Sequence, residues 1–273
     1  MEGTNLANWK MLVSEVENLR AQYESPTSRM LFRGQSDAEW ALTSTLERNG
    51  CADMLFREYY RLICSNLAPE VKTFAGFNVP EYDVKVCEPF TENRELLYGP
   101  YDVFPIDLYK YMAYLRHFGF PSPFLDWSRS LGVAAFFAFR DVPGEKPKQR
   151  SVFVYCGNPT GARGGALGEP AIRSMGSYVQ THKRHFQQRC DYTICGKFDQ
   201  NYGWRFDSHE TVFRTRRPKQ DFLWKFDLPA SERDNVLRTL EDYNLNAFSL
   251  FGSEESLLES MWVREHVLKN TPR

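Results

Sequence analysis

The chain lacks any apolar run approaching the roughly 18 residues that a membrane-spanning helix needs. It also lacks a charge excess: 34 basic residues stand against 35 acidic ones, so no overall field gathers nucleic acid or an anionic membrane. Six cysteines among 273 residues are too few for a disulfide-built scaffold, and none forms a CxxC pair. His182 and His185 precede Cys190 and Cys195, but the spacing is no standard structural zinc pattern, and no metal is expected. No basic leader followed by an apolar segment opens the sequence, which reads as a cytoplasmic chain. Neither serine of a candidate site sits in a GxSxG elbow, and the glycine-rich stretch after Cys156 lacks the Lys-Ser/Thr ending of a phosphate-binding loop.

What is present is material for a core. Aromatic residues make up 15% of the chain, with 21 Phe and 14 Tyr, which argues for folding over disorder. Residues 6–20 place Trp9, Leu12, Val13, Val16 and Leu19 on one helical stripe. "RMLFRG" reads as a short strand ending at Gly34, and a helix over 106–117 has Pro105 at its start and Gly119 and Pro121 at its stop. "SVFVYC" (151–156) is rich in β-branched and aromatic residues and predicts a strand; "ETVFRT", "FLWKFDL" and "NAFSLF" are expected to add others. "SEESLLESMWVREHVLK" predicts a closing helix with Leu257, Leu258, Met261 and Val267 inward. The expected fold is α+β, a mixed or antiparallel central sheet surrounded by helices, in one domain over residues 1–273. Residues 68–105, rich in Pro, Asn, Asp and Glu, read as an insertion or small lobe.

Four polar groups carry chemistry. Arg33, at a strand end, presents a fixed fork of donors that suits a carboxylate or pyrophosphate; the alternative is a surface pair with Asp37 or Glu39. Gly34 permits close approach of a ligand or an unusual backbone angle, and Gln35 can read a ribose or amide edge. Asp126, Ser128 and Ser130 share one side of an extended segment, where their oxygens either orient ribose or receive a helix start, Ser130 being a candidate N-cap. Glu210, beside His209, offers a carboxylate that stabilises positive charge as a glycosidic bond breaks, or stands as an ordinary edge-strand residue. Gln188, within the polar group His182–Gln188, either fixes a loop or touches the ligand.

Phe32-Arg33-Gly34-Gln35 with Trp40 and Leu42, "YLRHFGFPSPFLDWSRSLGVAAFFAF" (114–139), "HFQQRCDYTI" (185–194) and "NAFSLFG" together resemble the FRG-domain family, named for its Phe-Arg-Gly motif. Pro123 stands where many members carry an arginine. FRG domains in turn resemble ADP-ribosyltransferases, with an early strand Arg, a central Ser-containing strand before an Ala/Phe-rich helix, and a late Glu. The resemblance implies an ADP-ribosyltransferase-like fold with NAD as cofactor. It implies that Arg33 holds the NAD phosphates, Ser128 or Ser130 orders the nicotinamide side, and Glu210 is the catalytic carboxylate, with Asp126 a further candidate. The reaction implied is cleavage of the nicotinamide glycosidic bond and transfer of ADP-ribose to an unknown protein, nucleic-acid or small-molecule acceptor, or to water. The stretch 161–168 and the 68–105 insertion are candidates for selecting that acceptor. A noncatalytic nucleotide-sensing or protein-interaction module, and a nucleotide or nucleic-acid hydrolase, are the competing readings, and an antiviral or toxin effector is a compatible role. The sequence specifies no oligomeric state.

Overall fold

A computed structural model describes residues 3–98, 102–141, 148–159, 168–215 and 220–269. Most of the expected 161–168 segment and the basic turn at 216–219 lie outside the described residues. An eight-stranded sheet forms the frame: β1 (Thr4–Asn5), β2 (Met30–Gln35), β3 (Leu125–Ser128), β4 (Gln149–Cys156), β5 (Ala171–Ser174), β6 (Cys190–Asp199), β7 (Gly203–Phe206) and β8 (Phe222–Pro229). They lie in the order β1-β8-β4-β2-β3-β6-β5, with β7 also paired to β6. All registered pairs are antiparallel except β1 with β8. The fold is therefore α+β with a mostly antiparallel sheet. No helix among the described residues is long and apolar enough to cross a membrane.

β4 lies inside the sheet, between β8 and β2: Val152–Cys156 are apolar on both faces, and everything from Arg150 to Cys156 is buried. One face packs Val152 and Val154 with Phe32 against the helices Trp9–Tyr23, Leu131–Phe139 and Arg233–Asp242. The other places Phe153 and Tyr155 with Leu31, Trp127, Val212 and Phe213. A third cluster joins the β6–β7 end to the helices Phe56–Arg61, Val84–Glu92 and Ile106–His117. Val79, Phe90, Leu97 and Phe104, all from the 68–105 stretch, are buried in that cluster.

Two expected strands are helices. "ETVFRT" lies within the helix His209–Thr215, whose Val212 and Phe213 turn into the apolar layer below β4. "NAFSLF" forms the helix Ala247–Phe251, since the Asn246 side chain accepts from Ser249 N and caps it, and Ala247 and Leu250 share a buried face. The closing helix exists as Glu254–Trp262, but Leu257, Leu258 and Met261 are exposed. Its buried positions are Ser256 and Ser260, and Ser260 accepts from Phe248 N while donating to Ser256 O. Hydrogen bonding to the preceding helix sets its rotation, against the apolar periodicity.

Candidate functional site

β2 and β3 share one registered pair, Phe32 with Ser128. Beyond it β2 continues along β4 up to Gln35 and β3 along β6 back to Leu125, so the two strands part. A cavity of about 350 Å³ opens there, within the size range of small-molecule sites. Arg33, Gly34 and Gln35 line one side and Asp126, Trp127 and Ser128 the other. The Arg33 guanidinium spans the gap, its Nη1 donating to the Asp126 carbonyl at 2.8 Å. This replaces the expected surface pair with Asp37 or Glu39.

Gly34 serves the opposite face. A Cβ there would lie 2.7 Å from Ala138 N and 2.9 Å from the Ala134 carbonyl carbon, and closer still to the Ala134 oxygen. The small residues of Leu131–Phe139 bring that helix backbone against the strand, and only a glycine leaves room for it. The Phe-Arg-Gly triplet thus divides its work: Phe32 fills the helix-side core, Arg33 faces the split, and Gly34 admits the helix.

Four arginines line the cleft, Arg33, Arg48, Arg116 and Arg184, and among the described residues Asp126 is the carboxylate that faces them. Arg116, from the last turn of Ile106–His117, is ion-paired to Asp126 Oδ2. Burial pushes the Arg33 guanidinium down to about 10; Asp126 opposes this, while Arg116 and Arg48 add to it. Arg33 therefore stays protonated at neutral pH. Arg33 Nε, Arg116 Nε, Arg184 Nε, Asp126 Oδ1 and Gln35 Oε1 are buried with no hydrogen-bond partner in the protein. Such atoms are rare in folded chains because each costs about 1–3 kcal/mol. Five of the thirteen such atoms among the described residues belong to residues lining this cavity, three of them arginine nitrogens.

Ser128 and Gln188 line the cleft but are engaged with the scaffold. Ser128 Oγ donates to Gln188 O at 2.7 Å and accepts from Ser130 N, and Gln188 Nε2 donates to Leu250 O at 3.2 Å. Ser130 is not on the cleft wall; it caps Leu131–Phe139, accepting from Val133 N. Trp127 donates to Thr193 Oγ1, which is hydrogen-bonded in turn to His209 Nε2 at 2.9 Å. His209 is fully buried below the arginine, and desolvation, then the Arg33 charge, push it down to about 3. It is a neutral structural imidazole.

Glu210 stands apart from this group. It lines a second cavity of about 450 Å³ with Leu42, Phe153, Lys225 and Asp227. Trp40 lines both cavities, while Ala41 and Leu42 line the second alone. Gln35 Nε2 donates to the Ala41 carbonyl from the cleft side at 3.4 Å, while Leu42 N donates to Glu210 Oε1 at 3.1 Å. Glu210 also pairs with Arg214 at 3.0 Å. Of the candidate site residues, the cleft thus gathers Arg33, Gly34, Gln35, Asp126, Ser128 and Gln188, and leaves out Ser130 and Glu210.

Sequence reasoning missed Arg48 and Arg116. Both are basic residues in the last turn of a helix, where complementing the macrodipole is explanation enough. It also left aside His117, a cleft residue that burial pushes down to about 4 despite the opposing Asp126 charge. Tyr192 Oη lies 2.9 Å from its Nε2 and 3.1 Å from His185 Nδ1.

The profile of the FRG domain matches residues 28–146, less than half of the sequence. The chain contains an FRG domain. Its matched span includes β2, β3, Ile106–His117 and Leu131–Phe139, so the FRG domain supplies both sides of the strand split and the helix that Gly34 admits. The stretches 185–194 and "NAFSLFG" lie beyond the span, and from them come Gln188, Cys190 and Phe251 of the cleft. Comparisons with curated proteins and with solved structures returned no match.

Proposed function

We propose that the FRG cleft binds a nucleotide diphosphate, with NAD as its ligand, and that the chain acts on it as an ADP-ribosyltransferase. The observation that carries this reading is the convergence of four arginines and several unpartnered polar atoms on one strand split. Guanidinium groups hold pyrophosphate oxygens by paired donors, and Arg33 and Arg116 retain unspent ones. Trp40, Phe137 and Phe251 supply flat or apolar surface for a base.

In the reaction, the bond between the ribose C1′ and the nicotinamide nitrogen breaks, and nicotinamide leaves with the electron pair. The acceptor attacks C1′ and loses its proton. Asp126 lines the cleft and Glu210 does not, which supports Asp126 as the carboxylate that stabilises the positive ribosyl centre. The Arg116–Asp126 ion pair favours a second reading, a sensor that holds the nucleotide without cleaving it.

Calorimetry with NAD and ADP-ribose, together with nicotinamide release, tests both readings. Arg33→Ala weakens binding at least about tenfold, as loss of a charge-assisted contact does. Asp126→Asn retains binding and loses release; Glu210→Ala retains both. Binding without release by the intact chain, in the presence of candidate acceptors, establishes the sensor. Absence of binding for both nucleotides at millimolar concentration overturns the nucleotide reading. Loss of release in Glu210→Ala alone returns the catalytic role to Glu210.

A further inference from the structure

His117, His185 and Cys190 come from three separate elements: the end of Ile106–His117, the helix Lys183–Gln187 and the start of β6. Their potential donor atoms lie within 4.8 Å of one another, and His185 and Cys190 are buried. The geometry points to a binding site for a zinc-type divalent ion at this centre, formed by His117 Nε2, His185 Nδ1 and Cys190 Sγ.

Three features support it. The His185 Nε2 lies 3.1 Å from the Ser177 carbonyl, which can only accept, so that nitrogen carries the proton and Nδ1 presents its lone pair inward. Anchoring of the distal ring N–H on a carbonyl is how ligating histidines are usually oriented. Tyr192 Oη lies within hydrogen-bond distance of both imidazole nitrogens, so the two rings converge on one point, where burial keeps the phenol neutral. The donor set is soft, a sulfur with two imidazoles, which selects zinc over magnesium or calcium. Zinc–nitrogen bonds of about 2.0–2.1 Å and zinc–sulfur bonds of about 2.3 Å require donors roughly 3.3–3.6 Å apart. The widest pair here must therefore draw in by about 1 Å.

Binding forms a sulfur–metal bond and releases the Cys190 thiol proton to solvent; no electron is transferred. His117 ligates through Nε2 with its proton on Nδ1. His117 and Cys190 both line the arginine cleft, so the ion would border the ligand cavity whether or not that cavity takes a nucleotide.

The test uses the purified chain, stripped with a chelator and titrated with cobalt(II) and then zinc(II). The expected result is one cobalt per chain, with a thiolate-to-cobalt charge-transfer band and the ligand-field bands of a four-coordinate ion, both abolished by zinc. Cys190→Ser removes the charge-transfer band, and His117→Asn, at the more exposed ligand, weakens cobalt binding at least about tenfold. Circular dichroism checks that each variant is folded. No stoichiometric uptake at micromolar cobalt or zinc by the native chain overturns the proposal. So does uptake without a thiolate band, or a band that persists in folded Cys190→Ser.

Discussion

Replacing Gly34 with alanine adds one methyl group where the helix Leu131–Phe139 packs directly on β2. That Cβ would lie 2.7 Å from Ala138 N and 2.9 Å from the Ala134 carbonyl carbon, and these are backbone atoms that no side-chain rotation can remove. Gly34 is absent from the glycines with positive φ, so the cost is one of space and not of backbone conformation. Overpacking ordinarily costs about 1–3 kcal/mol, and the upper end applies where the neighbour is main chain. At about 2–4 °C per kcal/mol for a domain of this size class, a cost near 3 kcal/mol lowers Tm by about 6–12 °C. Scanning calorimetry of the variant measures it, and a shift below about 2 °C would refute the argument. Gly50 is the comparison, since an added Cβ there meets nothing within 4 Å, and any cost comes from its φ of +79° alone.

Stability falls as the pH drops from 7 toward 4. His117 and His209 are held down to about 4 and about 3 by burial, so the unfolded chain binds protons there that the folded chain refuses. Asp191 runs the other way: burial raises it to about 6, and its favourable share is present at low pH and lost as pH rises through that value. Burial lowers His182 and His185 as well, so the histidines outweigh Asp191 and the loss of stability with falling pH is read from urea midpoints between pH 7 and 4. His209→Asn flattens that slope; an unchanged slope would remove His209 from the account. Glu259→Gln breaks the two-point pair with Arg140, at 2.6 Å from both its Nε and its Nη2, which ties the closing helix to Leu131–Phe139. Both side chains are about a third exposed, so urea unfolding should show a loss of about 0.5–1 kcal/mol, with no loss counting against the tether.

The pattern of residues along the chain was enough for the α+β class, for the existence but not the bounds of the strands found at 30–35, 149–156 and 222–229 and of the helix found at 9–23, and for the helix at 106–117. In those segments local periodicity and end signals agree with the tertiary environment, so short-range physics already decides the outcome. Two of the residues singled out from the sequence meet, Arg33 donating to the Asp126 carbonyl. Tertiary structure decided the rest. Whether 209–215 and 247–251 are strands or helices depended on which apolar layer could receive Val212 and Phe213 and on the Asn246 cap. Whether Glu210 lies at the cleft depended on its long-range partner, the Leu42 N–H, which holds it at the second cavity. Arg48, Arg116, His117 and Cys190 gained their common neighbourhood from one event, the parting of β2 from β3 after a single registered pair. A sequence encodes local preference residue by residue, but such a split is a balance between the two flanking ladders, and no one segment contains it.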